Sequence, residues 1–245
     1  MAQLMTKKGL YLMIQPLSDE NASLERLKAE IRGILPTCPE NEEYLGRLCA
    51  PAALSAVQYQ RLTALGCFLS LLREVLPQAL PSLRLYRDEF GRPFARCEEA
   101  SVPPFDFNLT HARHYAGCGL LTGGGRVGVD IEKALPEEKA EKIAARFFTE
   151  KERRHLQGLD REAFSREAAY LWTAKEALSK QAGKGFPLGY DSLSCPGELS
   201  LLQGILGGED ACPASVLTVC VPADAPFPVC PSSCAPVLWR NFNQP

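Results

Sequence analysis

The chain has 245 residues, of which 46% are hydrophobic and 23% are charged, and its formal net charge is −2. This length and composition predict a folded protein with one large domain or two of ordinary size, and they exclude intrinsic disorder. A nearly neutral chain has no general basic surface. We therefore expect no nucleic-acid partner, and any recognition of anions must be local.

The first half of the chain begins with an apolar segment at 9–14 that follows two lysines. The segment is short, ends at Gln15-Pro16 and lacks a small-residue cleavage site, so it predicts a first β-strand rather than a signal peptide. No apolar run approaches the ~20 residues of a membrane span, which predicts a cytoplasmic protein without membrane contact. The other elements predicted in this half are a helix from Leu24 that stops at Pro36, a helix at 53–76 and a strand at 83–87 followed by a turn at 89–93.

The second half follows a proline-rich segment at 101–104, which is the best candidate for a linker. Two strands near 115–121 and 127–132 flank a glycine-rich turn at 123–125, a pattern that predicts a β-hairpin. Later predicted elements are a helix opened by Pro136, a short helix capped by Thr149 and Glu152, a long helix at 161–182 ended by Gly183, and strands at 216–221 and 237–242. Both halves mix strands and helices without regular βαβ alternation, which predicts an α+β fold.

The ten cysteines and three histidines lack the spacing of a zinc site or a disulfide framework. No Cys-x-x-Cys pair occurs, and the nearest approach is Cys230 with Cys234, preceded by Cys212 and Cys220. We interpret these residues mainly as structural thiols in a reducing compartment, with a metal or redox role as the alternative.

Two acidic residues alternate with apolar ones in the segment Gly128-Val129-Asp130-Ile131-Glu132-Lys133. In a strand, side chains two apart point to the same face. Asp130 and Glu132 should therefore lie side by side while Val129 and Ile131 enter the core. An acidic pair on an exposed strand face is the ordinary alternative for such a pattern taken alone.

A further acidic residue lies in the segment Trp172-Thr173-Ala174-Lys175-Glu176-Ala177-Leu178-Ser179-Lys180. On a helix, Trp172, Glu176 and Lys180 form one stripe, whereas Lys175 lies about 100° away from it. If this stripe faces the acidic strand, three carboxylates converge beside a fixed cation, and such a site suits a hard divalent metal and a phosphate-rich substrate. Taken alone, Glu176 with Lys180 would be an ordinary helix pair and Trp172 an ordinary core residue.

Several segments together resemble the Sfp-type (surfactin-synthetase-activating) 4′-phosphopantetheinyl transferases. The matching segments are Phe90-Gly91-Arg92-Pro93, Asn108-Leu109-Thr110-His111, Gly128-Val129-Asp130-Ile131-Glu132, Arg146-Phe147-Phe148, Trp172-x-x-Lys175-Glu176-Ala177-x-x-Lys180 and Gly183-Lys184-Gly185. The resemblance covers residues 83–190 well and is vague before and after them. Its most specific part is the combination of the acidic strand with the helix segment.

The resemblance implies a pseudo-dimer of two similar α+β halves, each a small, mostly antiparallel sheet packed with helices, with the active site at their interface. With the linker at 101–104, the half at 1–104 would provide nucleotide contacts to coenzyme A, and the half at 105–245 the metal and catalytic residues. The implied reaction is Mg²⁺-dependent transfer of the 4′-phosphopantetheine arm of coenzyme A to a serine of an apo acyl or peptidyl carrier protein, with release of 3′,5′-ADP. We expect a monomer.

By the same resemblance, Asp130, Glu132 and Glu176 would be the Mg²⁺ ligands. Because Mg²⁺ rarely takes many carboxylates, Glu176 would also act as general base for the serine hydroxyl. Lys180 would hold a diphosphate oxygen. The implied catalytic set is thus Glu176, Lys180 and Asp130.

The coenzyme A contacts implied by the resemblance come from both halves: Arg61, Arg92, Thr110, His111, Lys175 and Lys180. Arg61 is the candidate for the 3′-phosphate, with Arg47 behind it. The ordinary interpretations are a solvated Arg92 in a hairpin turn and a His111 without a site role.

Two other functions stay open at this point. One is a coenzyme A-binding regulator that keeps the pocket without catalysis. Such a protein should have lost one of the three carboxylates or the lysine, but Asp130, Glu132, Glu176 and Lys180 are all present. A metal-dependent phosphodiesterase could also use two close carboxylates with a distant glutamate, but it would need a more basic surface.

The helix after Pro136 is the candidate docking surface for the carrier protein, which in this family is acidic. Lys139, Lys142 and Arg146 would form a basic rim around Ile143 and Phe147. Burial of the apolar side with solvated lysines is the alternative.

Overall fold

The structure, a computed structural model, describes residues 8–17, 24–50, 55–133, 135–184, 198–207, 215–231, 235 and 237–239. Its contacts divide the chain into two compact units. The first unit comprises Met1–Val127 with Asp224–Ala235, and the second comprises Gly128–Ala223 with Pro236–Pro245. Each unit combines antiparallel strands with helices, which confirms the predicted mixture of α and β structure. None of the helices described is long and apolar enough to cross a membrane.

Among its described residues, the first unit contains a three-stranded sheet, a two-stranded hairpin and three α-helices. Its elements are β1 (Gly9–Pro16), α1 (Leu24–Ile34), α2 (Pro39–Leu48), α3 (Ser55–Val75), a 3₁₀ helix (Pro77–Ser82), β2 (Arg84–Arg87), β3 (Pro93–Arg96), β4 (Phe105–His111) and β5 (Tyr115–Thr122). The sheet has the antiparallel order β1-β5-β4, and β2 pairs with β3. Helix α3 packs on all three strands of the sheet, with the ring of Phe68 stacked 3.9 Å from that of Phe107.

The second unit is a four-stranded antiparallel sheet with helices on one face. Its elements are β6 (Gly128–Lys133), α4 (Glu137–Phe147), α5 (Glu150–Leu156), α6 (Arg161–Ala182), β7 (Leu199–Leu206), β8 (Ser215–Pro222) and β9 (Val237–Trp239), in the sheet order β6-β8-β7-β9. Helix α6 packs on β6 and β8, and α4 packs on α6. Because side chains alternate along a strand, only every second residue of β6 faces α6.

The ends of α5 and α6 follow the signals predicted from the sequence. The hydroxyl of Thr149 accepts a hydrogen bond from the backbone N–H of Glu152, and the carboxylate of Glu152 accepts one from the backbone N–H of Thr149. The predicted capping box is therefore confirmed. Helix α6 begins after Asp160, which caps Ala163 N, and it ends at Gly183, whose φ of 73° lies in the left-handed region that favours glycine.

The predicted hairpin across 123–125 is wrong. Strand β5 pairs with β1 on one edge and with β4 on the other, while β6 pairs with β8 in a different sheet. With both edges of β5 occupied, no edge is left for β6. The glycine turn instead ends the first sheet, and the chain passes on to the second.

The grouping of residues into units differs from the halves drawn at 1–104 and 105–245. Strands β4 and β5 belong to the first unit, because β5 pairs along all its residues with β1. Helix α2 and strands β3, β4 and β7 were not predicted from the sequence. Of the strand predicted at 237–242, the first three residues form β9, and the rest lies outside the described residues.

Candidate active site

Strand β6 and helix α6 come unusually close together at Gly128. A Cβ added to Gly128 would overlap Ala177 O and lie 2.6 Å from Gln181 N. Only glycine leaves room for this approach. The first residue of the acidic segment therefore fixes the distance between the strand and the helix.

Asp130 and Glu132 share the face of Gly128, since side chains two apart in a strand point the same way. Val129 and Ile131 point to the other face, where they are 0% and 2% exposed. Lys180 reaches this strand from α6: its Nζ lies 2.7 Å from Asp130 Oδ1 and 3.0 Å from Val129 O. The acidic pair and the end of the Trp172–Lys180 stripe thus meet as predicted.

The second carboxylate oxygen of Asp130 is a fitting ligand for a cation. Asp130 is 6% exposed, and its Oδ2 is buried without a hydrogen-bond partner among the described residues. A buried carboxylate oxygen in this condition is costly, and a metal ion is one of the few partners that would satisfy it. The donor set of carboxylate oxygens is the set that Mg²⁺ prefers.

Glu132 carries the electrostatic signature of a crowded acidic site. Burial raises the pKa of the Glu132 carboxyl, and the nearby charge of Asp130 raises it further. Lys139, Lys180 and a hydrogen bond from Trp172 act in the opposite direction and lower this pKa. A cation bound beside Glu132 would favour its charged carboxylate and so offset the two effects that raise its pKa.

The third predicted ligand, Glu176, does not complete a cluster. Glu176 is half-buried on α6, between Trp172 and Lys180. Within the described parts of the chain, no three acidic, histidine or cysteine side chains form a group that could hold a metal ion. Three carboxylates close together would repel one another, which is a physical reason for the pair on β6 to form without the third. Glu176 as a metal ligand stays a prediction.

Lys175 lies on a different side of α6 from the acidic pair. Its side chain is 2% exposed, and its Nζ lies 3.0 Å from Glu152 Oε2 and 5.9 Å from the centre of the Phe148 ring. Because Glu152 also accepts from Thr149 N at 2.7 Å, Lys175 fastens α6 to the capping box of α5. The predicted contact of Lys175 with coenzyme A stays a prediction.

Arg92 is buried, so its interpretation as a solvated turn residue is wrong. It is 8% exposed, and its Nη1 and Nη2 lie 3.0 and 2.6 Å from the two carboxylate oxygens of Asp106. Nη2 also donates to Val127 O at 3.1 Å, while Asp106 Oδ2 accepts from Val127 N at 2.8 Å. The turn at 89–93 brings Arg92 back onto β4, a partner that sequence patterns do not reveal. A nucleotide contact of Arg92 stays a prediction.

A cationic cavity of about 370 Å³ lies within the first unit. Within the described part of the chain, its polar lining consists of three arginines and one histidine: Arg47, Arg61, Arg87 and His111. Three of these four residues, Arg47, Arg61 and His111, were proposed from the sequence as coenzyme A contacts, although they come from α2, α3 and β4. The fourth, Arg87, was missed. The sequence pattern that could have identified Arg87 is the alternation of side chains in β2, which places Arg87 on the same side as the buried Leu85.

Thr110 and His111 cannot both line this cavity. They are neighbours in β4, so their side chains point to opposite faces of the sheet. His111 is exposed at the cavity, whereas Thr110 is 1% exposed. The contact of Thr110 with coenzyme A stays a prediction, and coenzyme A would have to reach the face of β4 opposite His111 to make it.

The predicted docking helix, α4, buries most of its apolar side. Ile143 is 8% exposed and belongs to the hydrophobic core that α4 forms with α6, and Phe147 packs against the ring of Trp172 at 5.2 Å. Lys139, Lys142 and Arg146 are exposed. The structure thus has the solvated basic rim but not an exposed apolar centre at Ile143.

Comparison with known proteins gives a consistent family assignment. The family model "4′-phosphopantetheinyl transferase superfamily" (ACPS) matches residues 126–202, a stretch that contains β6 and α6. The 4′-phosphopantetheinyl transferase psf-1 of Bacillus pumilus is 30% identical over 189 residues, which are 75% of this chain and 72% of that protein.

Other relatives match over shorter stretches. The 4′-phosphopantetheinyl transferase Sfp of Bacillus subtilis is 32% identical over 112 residues, 46% of this chain and 46% of that protein. The slr0495 protein of Synechocystis sp. is 39% identical over 87 residues, 36% of this chain and 35% of its own length. The chain thus spans less than half the length of these two relatives. Its similarity to psf-1 extends over most of both chains, and on that basis the chain belongs to the Sfp-type 4′-phosphopantetheinyl transferase family.

Proposed function

We propose that this protein transfers the 4′-phosphopantetheine arm of coenzyme A to a serine of an apo acyl or peptidyl carrier protein, with Mg²⁺, and releases 3′,5′-ADP. The observation that carries the proposal is the pair of the buried Asp130 and the half-buried Glu132, in which Asp130 Oδ1 accepts from Lys180 and Oδ2 is left for a cation. This pair lies within the stretch that matches the family. The relatives' names describe the same kind of transferase.

The metal ligands in this proposal are Asp130 and Glu132, with Glu176 as a third ligand directly or through water. Mg²⁺ held by these residues would neutralise negative charge on the diphosphate oxygens, which is the help that phosphoryl transfer needs. Mg²⁺ usually takes only one or two protein carboxylates, so the pair on β6 is sufficient.

The remaining chemistry falls to Lys180 and Glu176. Lys180 is 30% exposed, so its ammonium can bind a diphosphate oxygen while it stays close to Asp130. Glu176 accepts the proton of the attacking serine hydroxyl, and the serine oxygen then forms the new bond to phosphorus. The diphosphate bond breaks, and its electron pair leaves with 3′,5′-ADP.

The cationic cavity would take the phosphorylated nucleotide of coenzyme A. Arg61 and Arg47, with His111 and Arg87, offer charge-assisted donors that suit a phosphate dianion. Arg92, Thr110 and Lys175 keep their predicted contacts with coenzyme A as part of the proposal. A cytoplasmic location and a monomeric state are likewise proposed.

The test is incubation of the purified protein with an apo carrier protein, coenzyme A and Mg²⁺, followed by mass spectrometry of the carrier. We expect the carrier to gain one phosphopantetheine group. The variant Asp130→Asn should lose at least about a hundredfold in rate, because it removes a metal ligand. Glu74→Gln, an exposed change on α3, is the matched control. Coenzyme A binding without any product would instead indicate a regulator, and hydrolysis of nucleic acid a phosphodiesterase.

The role of Glu176 has its own test. If Glu176 is the general base, Glu176→Gln should reduce kcat much more than it raises the KM for coenzyme A. Equal losses in both quantities would argue against the base role and leave Glu176 with a binding role.

A further inference from the structure

A buried polar row crosses the sheet of the second unit at the level of Asp130. Asp130 lies opposite Thr218 in the β6–β8 pairing, and Thr218 lies opposite Gln203 in the β8–β7 pairing. Residues directly opposite in antiparallel strands share a face, with Cβ atoms about 5 Å apart. The three side chains therefore lie in line on the face covered by α6. Thr218 is 0% exposed and Gln203 is 6% exposed.

The hydrogen bonds described for Gln203 and Thr218 join these two side chains to each other and to α6, and none of them reaches Asp130. Gln203 Nε2 donates to Tyr170 O and to Thr218 Oγ1, both at 2.9 Å. Thr218 Oγ1 donates to Thr173 Oγ1 at 2.8 Å, and Thr173 Oγ1 donates to the helix carbonyl of Ala169 at 2.9 Å. A hydroxyl has one proton to give. The proton of Thr218 is thus committed to Thr173 on α6.

Because its proton is donated to Thr173, the Thr218 hydroxyl does not donate to the neighbouring carboxylate of Asp130. Thr218 carries the hydroxyl opposite Asp130 in the sheet, yet Asp130 Oδ2 has no hydrogen-bond partner within the described part of the chain. A hydrogen bond from Thr218 would satisfy that oxygen and make it a weaker ligand, because a cation would then have to displace the bond.

We propose that Thr173 and Gln203 are positioning residues that hold the Thr218 hydroxyl proton away from Asp130, so that Asp130 Oδ2 stays available to a divalent cation. This inference rests on the proposed function, because it treats Asp130 as a cation ligand. Thr173 takes the proton of Thr218, and Gln203 occupies an acceptor position on the Thr218 oxygen. The backbone carbonyl of Tyr170 fixes the orientation of the Gln203 amide, because a carbonyl oxygen can accept a hydrogen bond only from the NH₂ group of Gln203.

The test measures binding of Mn²⁺, which uses the same oxygen ligands as Mg²⁺, by loss of the free-ion electron paramagnetic resonance signal. Thr173→Val removes the acceptor, so the Thr218 hydroxyl turns to Asp130, and we expect the Kd for Mn²⁺ to rise about tenfold. Thr173→Ser keeps the acceptor and should bind like the wild type. Thr218→Val removes the competing donor and should also stay within about twofold of the wild type.

The double variant Thr173→Val/Thr218→Val separates this inference from simple damage to the packing. With the hydroxyl of Thr218 gone, the Kd for Mn²⁺ should return to within about twofold of the wild-type value. An unchanged Kd in Thr173→Val, or a double variant as weak as Thr173→Val, overturns the inference. Weaker binding by Thr218→Val alone also overturns it, and that variant remains decisive if Thr173→Val does not fold. A wild-type protein that binds no Mn²⁺ overturns the metal site and this inference with it, whereas the results above overturn the inference alone.

Discussion

Lys180 Nζ lies 2.7 Å from Asp130 Oδ1 and joins α6 to β6 across 50 positions of the sequence. The side chain of Asp130 is 9% exposed and that of Lys180 is 30% exposed, so a nearly buried carboxylate is paired with a cation whose side chain is partly open to solvent. The contact requires that helix and strand lie very close together. That closeness is set two residues before Asp130, at Gly128.

Gly128→Ala should separate these two groups without touching either of them. The added methyl overlaps Ala177 O, so α6 must move away from β6. We expect a loss of about 1–3 kcal/mol in the free energy of unfolding, measured by urea denaturation, and weaker Mn²⁺ binding. Gly66→Ala on α3 is the control, because an added Cβ there meets nothing within 4 Å and a helical alanine should stabilise the chain. Wild-type stability and cation binding in Gly128→Ala would contradict this account of the close contact.

Lys175→Met should destabilise the protein by about 3 kcal/mol, measured by urea denaturation, because it leaves Glu152 with its charge partly buried and without its cation. Glu152→Gln in the same chain should recover part of this loss. Lys142→Met breaks an exposed pair with Glu138 and should cost less than about 1 kcal/mol. The KM for coenzyme A of Lys175→Met decides the predicted ligand contact: an unchanged KM leaves Lys175 a purely structural role, and a raised KM supports contact.

The parts of the fold that follow from local periodicity could be predicted from the sequence. The period of two in β6 gave the shared face of Asp130 and Glu132, and the period of 3.6 in α6 gave the stripe that ends at Lys180. Capping residues such as Thr149 act within a few positions, so α5 and α6 begin where they were predicted to begin.

Pairings between distant segments could not be predicted in this way. The turn at 123–125 has the local chemistry of a hairpin, but the two edges of β5 are already paired with β4 and with β1, which lies about a hundred residues earlier. Arg92 looks solvated until β4 brings Asp106 to it. Gln203 lies in β7, which was not predicted at all, so its link to Thr218 had no sequence signal.

Tyr44→Phe should stabilise the protein. Tyr44 is 2% exposed, and its hydroxyl has no hydrogen-bond partner among the residues described, which makes the hydroxyl costly to bury. We expect a gain of about 1 kcal/mol at neutral pH, measured by thermal or urea unfolding. Tyr59→Phe on α3, where the ring is half-buried, serves as the control. A loss of stability in Tyr44→Phe would show that the hydroxyl has a partner.

The same substitution should change the response to alkaline pH. Burial raises the pKa of Tyr44 to about 12, whereas an unfolded tyrosine ionises near pH 10. Between these values the unfolded chain loses a proton that the folded chain keeps, so wild-type stability falls as pH rises from about 10 to 12. In Tyr44→Phe this contribution disappears. Its advantage over the wild type should therefore grow across that range, and a constant difference would contradict the burial of the phenol.

Arg61→Gln tests the cationic cavity and its ligand together. Arg61 lines the cavity with Arg47, Arg87 and His111, where a phosphate dianion would accept its charge-assisted hydrogen bonds. We expect the KM for coenzyme A to rise about tenfold with little change in kcat, because binding and not the chemical step is lost. Arg73→Gln, an exposed change on the same helix, should leave both constants unchanged.

Dephospho-coenzyme A, which lacks the 3′-phosphate, identifies the group of coenzyme A that Arg61 binds. With this substrate, the wild type and Arg61→Gln should have nearly equal KM values. If Arg61→Gln impairs both substrates equally, the cavity binds another part of the molecule.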